Sequence, residues 1–394
     1  MYVDLAQAFS TEDRETGASP RVESAELSAI PESWNGPWDE LAANASEPNP
    51  FAERWFTAPG VRHLLEDDGA RMIAVWGEHA GNSVLLGLLA VAVVARYARM
   101  PVRHVQNWLH ANAFLGTPLV RRGRETEFWS CALAALDAAP WARGFFHLSF
   151  LGEDGPVHRG LIEAAGRLGR PCDTVARRER ALLASSLSPE AYFEAAVRPK
   201  KRKELRRQRA RLGEQGALAI SRLEREEDAE RWCEDFLALE ASGWKGEVGS
   251  ALASEGNTEA FFREMFSGAF AAGRLEAIRL DLDGRPIAML ANFITPPGAF
   301  AFKIAIDEAY GRFSPGILLQ IENYRMLERG DVGWMDSCAR EFNAMINSMW
   351  TERTSIIRVS VPLGGARRRA IFAAARLAEN GAALVGRLGR GATT

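Results

Sequence analysis

Lysine is scarce in this 394-residue chain, where 48 residues are Lys or Arg and only five of those are lysine. Coding bias is the simplest origin of the imbalance, yet it makes each lysine conspicuous. Lys200, Lys201 and Lys203 lie in one basic run, while Lys245 and Lys303 stand beside aromatics in Trp244-Lys245-Gly246 and Phe302-Lys303. Cysteine is also sparse. Cys131, Cys172, Cys233 and Cys338 are far apart with no CxxC pair, which excludes a zinc ribbon and a disulfide framework. All six histidines fall between His63 and His158, with neither His-x-His nor HExxH spacing. No catalytic metal is therefore expected, and Ser314 and Cys338 have no local imidazole base for a hydrolase mechanism. The longest apolar run, Val84 to Ala95, contains Gly87 and falls well short of the roughly 20 residues of a spanning helix. The N-terminus lacks the basic start and apolar stretch of a secretory leader, so a cytoplasmic location is expected.

What is present is globular. Apolar residues make up 47% and charged residues 25%, and the length suggests two domains. The formal charge of −3 hides a polarised distribution. Residues 1–50 carry ten acids against Arg14 and Arg21, whereas Arg198 to Arg211 carries nine bases against Glu204. Residues 1–48, with Pro20, Pro31, Pro37 and Pro48, read as a loosely packed acidic arm that Trp34 and Trp38 could anchor.

From Asn49 onward the pattern alternates strands and helices, an α/β chain. Met72–Trp76 and Val84–Val94 form an expected hairpin, followed by strands at His104–Leu109 and Phe114–Val120. A helix over Thr126–Ala138, a strand over Phe145–Phe150, a helix over Val157–Leu168 and a strand over Cys172–Ala176 follow. The Ser185 to Pro189 helix-entry signal places a domain boundary near residue 185. The second half carries the basic helix Lys200–Gln215, helices over Glu227–Gly243 and Thr258–Ala272, and a hairpin around Asp283-Gly284-Arg285-Pro286. A strand Phe300–Ile306, a loop to Pro315, a helix Gly316–Arg329 and a strand Val332–Asp336 come next. A helix Glu341–Trp350 and a strand Ser355–Val361 complete this half. Both halves share a rhythm of hairpin, then strand-helix-strand.

The chemically informative stretch is Phe300 to Asp336. A loop feeding a helix N-terminus presents unpaired N–H groups and the positive end of the helix dipole, which suits a diphosphate. Gly316, Ile317 and Leu318 are the expected donors, with Ser314 as helix cap, Arg312 as charged clamp and Gly316 allowing close approach. Asp307 and Glu308 are the nearest carboxylates and Tyr310 the nearest phenol. A solvated strand end is the competing reading of all three.

These residues carry a resemblance. Phe302-Lys303-Ile304-Ala305-Ile306-Asp307-Glu308, Tyr310, Ser314-Pro315-Gly316-Ile317-Leu318-Leu319 and Glu240-Ala241-Ser242-Gly243-Trp244-Lys245-Gly246 resemble the GNAT acyltransferase superfamily. Within it they resemble the CelD-like branch, related to the two-domain FemABX peptidyltransferases. Asn49-Pro50-Phe51 and Gly116-Thr117-Pro118-Leu119-Val120 extend the match over residues 49–360. The resemblance implies two tandem GNAT-like domains, each a mixed, mostly antiparallel sheet flanked by helices. They are expected at 49–185, shaping the acceptor cleft, and at 186–362, holding the catalytic site. The implied sheet has central parallel strands that splay to admit a pantetheine arm.

The implied activity is acyl-CoA-dependent N-acyl transfer by direct amine attack on the thioester, with acetyl-CoA or another acyl-CoA as co-substrate. Asp307, Glu308, Tyr310 and Lys303 are the expected catalytic residues. Ile304, Ile306, Arg312, Ser314, Gly316, Ile317 and Leu318 are expected on the co-substrate, and Trp244 and Lys245 on the acceptor. The branch's association with exopolysaccharide and envelope synthesis points to an amine on a sugar or cell-envelope precursor. Two departures stand out: one extra residue separates Arg312 from Gly316 relative to the superfamily loop, and Ile306 stands where relatives often have tyrosine.

Two alternatives stay open: an aminoacyl-tRNA-dependent transferase, and a non-catalytic scaffold or sensor in polysaccharide synthesis. The basic run Arg198 to Arg211 reads as a solvated helix face, or as a surface for anionic polysaccharide, lipid headgroups or tRNA; no DNA partner is expected. Residues 363–394 form a basic amphipathic tail, with Ile371, Ala375 and Ala378 on its apolar side and Arg369, Arg376 and Arg387 opposite. It would dock onto its own protein or rest on the inner face of a membrane.

Overall fold

The computed structural model describes residues 19–391 except 67–68, with side chains placed through residue 380. The first part of the expected acidic arm and the far end of the tail lie outside the described residues. The strands are β1 (Arg21–Glu26), β2 (Arg71–His79), β3 (Asn82–Val94), β4 (His104–Asn107), β5 (Leu119–Val120), β6 (Phe145–Gly152) and β7 (Asp173–Leu183). They continue with β8 (Leu218–Arg222), β9 (Leu275–Leu282), β10 (Arg285–Thr295), β11 (Gly298–Ile306), β12 (Trp334–Asp336) and β13 (Glu352–Pro362). The helices are α1 (Asn35–Ala43), α2 (Arg54–Leu64), α3 (Glu125–Ala138), α4 (Pro156–Arg167), α5 (Pro189–Ala196) and α6 (Pro199–Gly213). They continue with α7 (Ala229–Ala241), α8 (Trp244–Glu247), α9 (Gly256–Ala271), α10 (Pro315–Gln320), α11 (Ala344–Asn347) and α12 (Ala366–Gly391).

The chain forms two compact units. The first comprises Met1–Glu47, Glu66–Arg177 and Ile356–Thr394, and the second Pro48–Leu65 and Arg178–Ser355. The division falls inside β7 and β13, not near residues 185 and 362 as the sequence suggests. Pro48–Leu65, expected to open the first domain, belongs to the second unit for a packing reason. Phe51 meets Phe293 and Phe300, each with ring centroids 6.0 Å apart, and Glu53 pairs with Arg274 at 3.1 Å.

In the first unit the strand order is β1-β2-β3-β4-β6-β13, with β5 on β3; only β4–β6 is parallel. Phe128, Trp129, Leu133 and Leu136 of α3 and Leu161 of α4 are buried against Val75, Leu86, Val91 and Phe146 of the sheet. Part of the expected arm is ordered here. Arg21–Glu26 pairs antiparallel with β2, and Trp34 and Trp38 are buried. Phe114–Val120 contributes only the short β5. The tail docks on this unit through Phe372 and Ala375, which are buried with Tyr97 and Phe145, while Arg376 pairs with Asp173 at 2.9 Å. Arg376 is thus spent internally, whereas Arg369 stays exposed.

In the second unit the order is β7-β12-β11-β10-β9-β8, with β11–β12 the parallel pair. The two-residue turn of the β9–β10 hairpin has φ of 50° at Asp283 and 78° at Gly284, the left-handed pair that matches strand twist. The expected helix Gly316–Arg329 is six residues of α-helix followed by a 3-10 helix, Ile321–Glu328. A polar cluster accompanies that change: Asn323 donates to Gln320 at 2.8 Å, and Asn292 donates to Asn323 at 2.8 Å. Tighter winding brings side chains three apart into line. The expected helix Glu341–Trp350 contracts to α11. Each unit is therefore a mixed, mostly antiparallel sheet flanked by helices.

Candidate active site

The candidate catalytic, co-substrate and acceptor residues all lie in the second unit, on α8, on β11 and on the segment after it through α10. The parallel pairing of β11 with β12 ends at Phe300↔Asp336, yet β11 continues to Ile306. Over Ala301–Ile306 the strand keeps its β10 neighbour and has no ladder on the β12 side, because β12 ends at Asp336. The β10–β11 register slips between Ala291 and Asn292, so that Lys303 faces Ala291 and Ala301 faces Asn292, with Phe302 as the extra residue. Such a bulge bends a strand and re-aims its side chains.

Side chains alternate along β11. Ile304 and Ile306 point at α10, where a Cβ on Gly316 would meet them at 3.1 and 3.0 Å. Gly316 thus permits close packing of helix on strand. Lys303 points the other way and lies partly buried near α7 and α8. Its ammonium is 5.6 Å from the Phe302 ring centroid. Burial pushes its pKa down to about 8, the nearby Glu240 carboxylate opposing and the Lys245 ammonium adding to the fall.

Lys245 Nζ donates to Glu240 Oε1 at 2.6 Å and to the Ile304 carbonyl at 3.3 Å. The second Glu240 oxygen accepts the Leu252 N–H at 2.8 Å. Glu240 is only 4% exposed. Sequence reasoning gave it no role, although a signal existed. It continues the apolar stripe Trp232, Cys233, Phe236 and Leu237 of α7, where a carboxylate has no business without a partner. Trp244, 54% exposed, donates its backbone N–H to Glu308 Oε1 at 2.9 Å. Its indole is an open apolar surface on the residue before Lys245.

Other expectations shift. Asp307 caps the 3-10 helix Glu308–Phe313, accepting the Ala309 N–H at 3.0 Å, and lies 3.6 Å from Arg285. Tyr310 packs against the apolar cluster of Leu205, Leu212 and Phe313. Ser314 sits at φ 53°, ψ 49°, and its hydroxyl makes no cap hydrogen bond. Its carbonyl accepts the N–H groups of both Ile317 and Leu318 at 3.0 Å. Two of the three expected phosphate donors are therefore satisfied within the helix, because the carbonyl of the N-cap Ser314 closes the first turn.

Cations gather here instead. Arg312 lies over the Phe313 ring at 4.7 Å, and its carbonyl accepts from Gln208 of α6 at 3.1 Å. Arg207, Arg211, Gln208, Arg312 and Phe313 line a groove of about 330 Å³ together with Glu214 and with Glu204, which pairs with Arg207 at 2.7 Å. Among nucleophile candidates, Cys338 is protonated, its thiol pushed up by burial and by Asp336. Among the described residues no group of His, Cys, Asp and Glu could hold a metal ion, and no helix is long and apolar enough to cross a membrane.

Comparison with known proteins agrees with this geometry. No curated protein matches the sequence. The solved structure of FemX is similar at a TM-score of 0.53 and 9% identity, over 86% of this chain and 96% of that one. L-PGS from Bacillus licheniformis is similar at 0.51 and 12%, over 88% and 96%. A conserved protein of unknown function from Bacteroides thetaiotaomicron reaches 0.51 and 10%, over 83% and 97%. At such identities the likeness is one of fold. Residues 199–341, which contain α6, the lysine pair, β11 and the loop before α10, match the model of the acetyltransferase (GNAT) domain.

Proposed function

We propose that the chain transfers an acyl group from an acyl-CoA to an amine, in the manner of the CelD-like branch, with a sugar or cell-envelope precursor as acceptor. The observation that carries this reading is the unladdered stretch Ala301–Ile306 of β11, flanked by Lys303 on one face and by the Arg312–Leu318 loop on the other. An extended pantetheine arm could take the place of a β12 continuation, pairing with backbone groups that a closed sheet would consume. Diphosphate recognition would fall to the guanidinium groups of Arg312, Arg207 and Arg211, since the Ile317 and Leu318 N–H groups are already bonded. The exposed Trp244 ring suits the apolar face of a sugar. In the reaction the amine nitrogen bonds the acyl carbon as the C–S bond breaks, and the thiolate leaves with the sulfur electron pair. Glu308 and Asp307 remain candidates for proton transfer through water, Tyr310 less so because its ring is packed.

A second reading has an observation of its own. The fold likeness to FemX, together with the basic face of α6 beside the same strand, supports an aminoacyl-tRNA as donor. Titration calorimetry of acetyl-CoA separates the two. Micromolar binding, followed by acetyl transfer to an amino-sugar panel, is expected for the first reading. Absence of binding, with tRNA retained in a salt-sensitive way and lost on neutralising Lys200, Lys201 and Arg202, would move the assignment to the second. Binding without turnover over the panel would indicate a sensor.

A further inference from the structure

The second unit has another groove beside α6. Leu205 and Leu212, both buried and seven residues apart, mark the side of α6 that faces the sheet. At about 100° per residue, Gln208, which reaches the Arg312 carbonyl, falls on one side of that line and Arg209 on the other. We propose that the groove at Arg209 binds a small alkyl carboxylate, its charged end on Arg209 and Arg325 and its chain on an aliphatic floor. This goes beyond the acyl-transfer reading and does not depend on it.

Leu218, Ile220 and Arg222 are alternate residues of β8 and share one face of the strand, so an arginine ends an otherwise apolar row. Leu218 and Ile220, with Leu280 of β9 and Leu318 of α10, supply the floor of a groove of about 260 Å³. At about 30 Å³ per water in the liquid, that volume suits a ligand of about nine non-hydrogen atoms, the size of a hexanoate to octanoate ion. Glu322 is the carboxylate that lines the groove, and two guanidinium groups share its Oε2, Arg222 at 3.2 Å and Arg325 at 3.1 Å. Glu276 stands 3.8 Å from Arg222 and accepts from Asn292 at 3.2 Å; burial raises its pKa, with Asn292 and Arg222 opposing. Arg209 is exposed and has neither a hydrogen bond nor an ion pair among the described residues. Three guanidinium groups therefore meet two carboxylates at most, and the surplus charge is positive. Guanidinium donors above a hydrocarbon floor select an anion that carries an apolar body. A bare anion leaves the floor uncovered, and a neutral alkyl group leaves Arg209 unpaired.

The test is a saturation-transfer NMR titration of the full-length protein with hexanoate, acetate, 1-hexanol and inorganic phosphate. Hexanoate is expected to bind at least tenfold more tightly than acetate, because each buried methylene contributes about fourfold, and at least tenfold more tightly than hexanol. Arg209→Met, which disturbs no internal partner, and Arg325→Met should each weaken hexanoate about tenfold, the loss of a charged hydrogen bond. Arg312→Ala, on the other side of α6, should leave hexanoate affinity unchanged. Acetate or phosphate binding as well as hexanoate would reduce the groove to a patch of charge, and hexanol binding as well would reduce it to an apolar surface. Either result overturns the proposal, as does no hexanoate binding, indifference to both Arg209→Met and Arg325→Met, or loss of binding in Arg312→Ala. Failure of the donor reading is told apart because acetyl-CoA binding is measured separately.

Discussion

Gly316 and Ile306 are in such close register that a Cβ on the glycine would stand 3.0 Å from Ile306 Cγ2, with Ile304 Cδ1 at 3.1 Å. The first turn of α10 is thereby pressed onto the strand that carries Lys303. Gly316→Ala is expected to overpack this contact and cost about 1–3 kcal/mol, more than the ~0.5–1 kcal/mol that alanine contributes in a helix. A fall in the urea midpoint checks it. An unchanged midpoint would show that the isoleucines give way.

Arg180 and Asp336 form a buried pair at 3.4 Å, and Asp336 also accepts the Cys338 N–H at 2.7 Å, where the last β12 residue turns away from β11. Asp336→Ala removes a carboxylate from the buried Arg180 guanidinium and the acceptor of the Cys338 N–H, at an expected cost of about 3–5 kcal/mol. The double replacement Arg180→Met with Asp336→Ala should recover part of that loss. Equal destabilisation by the single and double variants in equilibrium unfolding would refute this account.

His147 is buried and held neutral, its pKa pushed down to about 3 mainly by desolvation, with Nδ1 2.9 Å from the Ser360 hydroxyl. An unfolded imidazole titrates near 6.5. Below about pH 6.5 the unfolded chain binds a proton that the folded chain refuses, so stability is full above that pH and declines as pH falls toward about 3. The slope should approach about 1.4 kcal/mol per pH unit for this residue. His104, depressed by burial in the same direction, adds to it. Thermal unfolding at a neutral and a mildly acid pH, in the wild type and in His147→Gln, is the measurement; the variant should show the shallower dependence.

Arg312 is oriented by its ring contact with Phe313 and by the Gln208 hydrogen bond to its carbonyl, beside Arg207 and Arg211. Arg312→Ala should weaken acetyl-CoA binding by about 1.5–3 kcal/mol, the worth of a charged hydrogen bond, with little effect on folding. Calorimetry at two salt concentrations tests this. Unaltered affinity would remove Arg312 from the donor site.

Phe372 anchors α12 on Phe145, with ring centroids 5.6 Å apart. Phe372→Ala is expected to destabilise the first unit by about 3–5 kcal/mol, and deletion of α12 to render Tyr97 and Phe145 accessible. Hydrogen exchange over β6 would report the change, and protection equal to the wild type would contradict it.

Local pattern was enough to establish much of this protein. The β2–β3 and β9–β10 hairpins, α3, α4 and β11 follow from periodicity and turn chemistry, and the scarcity of lysine drew attention to Lys245 and Lys303 before any geometry existed. Period and punctuation are short-range properties, so they survive in the sequence. Three features needed the tertiary structure. The transfer of Pro48–Leu65 to the second unit depends on Phe51 meeting Phe293 and Phe300, residues far away in the chain. The loss of the Ile317 and Leu318 donors depends on where the helix starts, since the carbonyl of its N-cap, Ser314, accepts both, and the exact cap position is settled by packing. Glu240 acquires its role only because folding brings a helix end, a short turn and a strand carbonyl to one point. A buried carboxylate is defined by its partners, and partners distant in the chain are what a linear pattern does not encode.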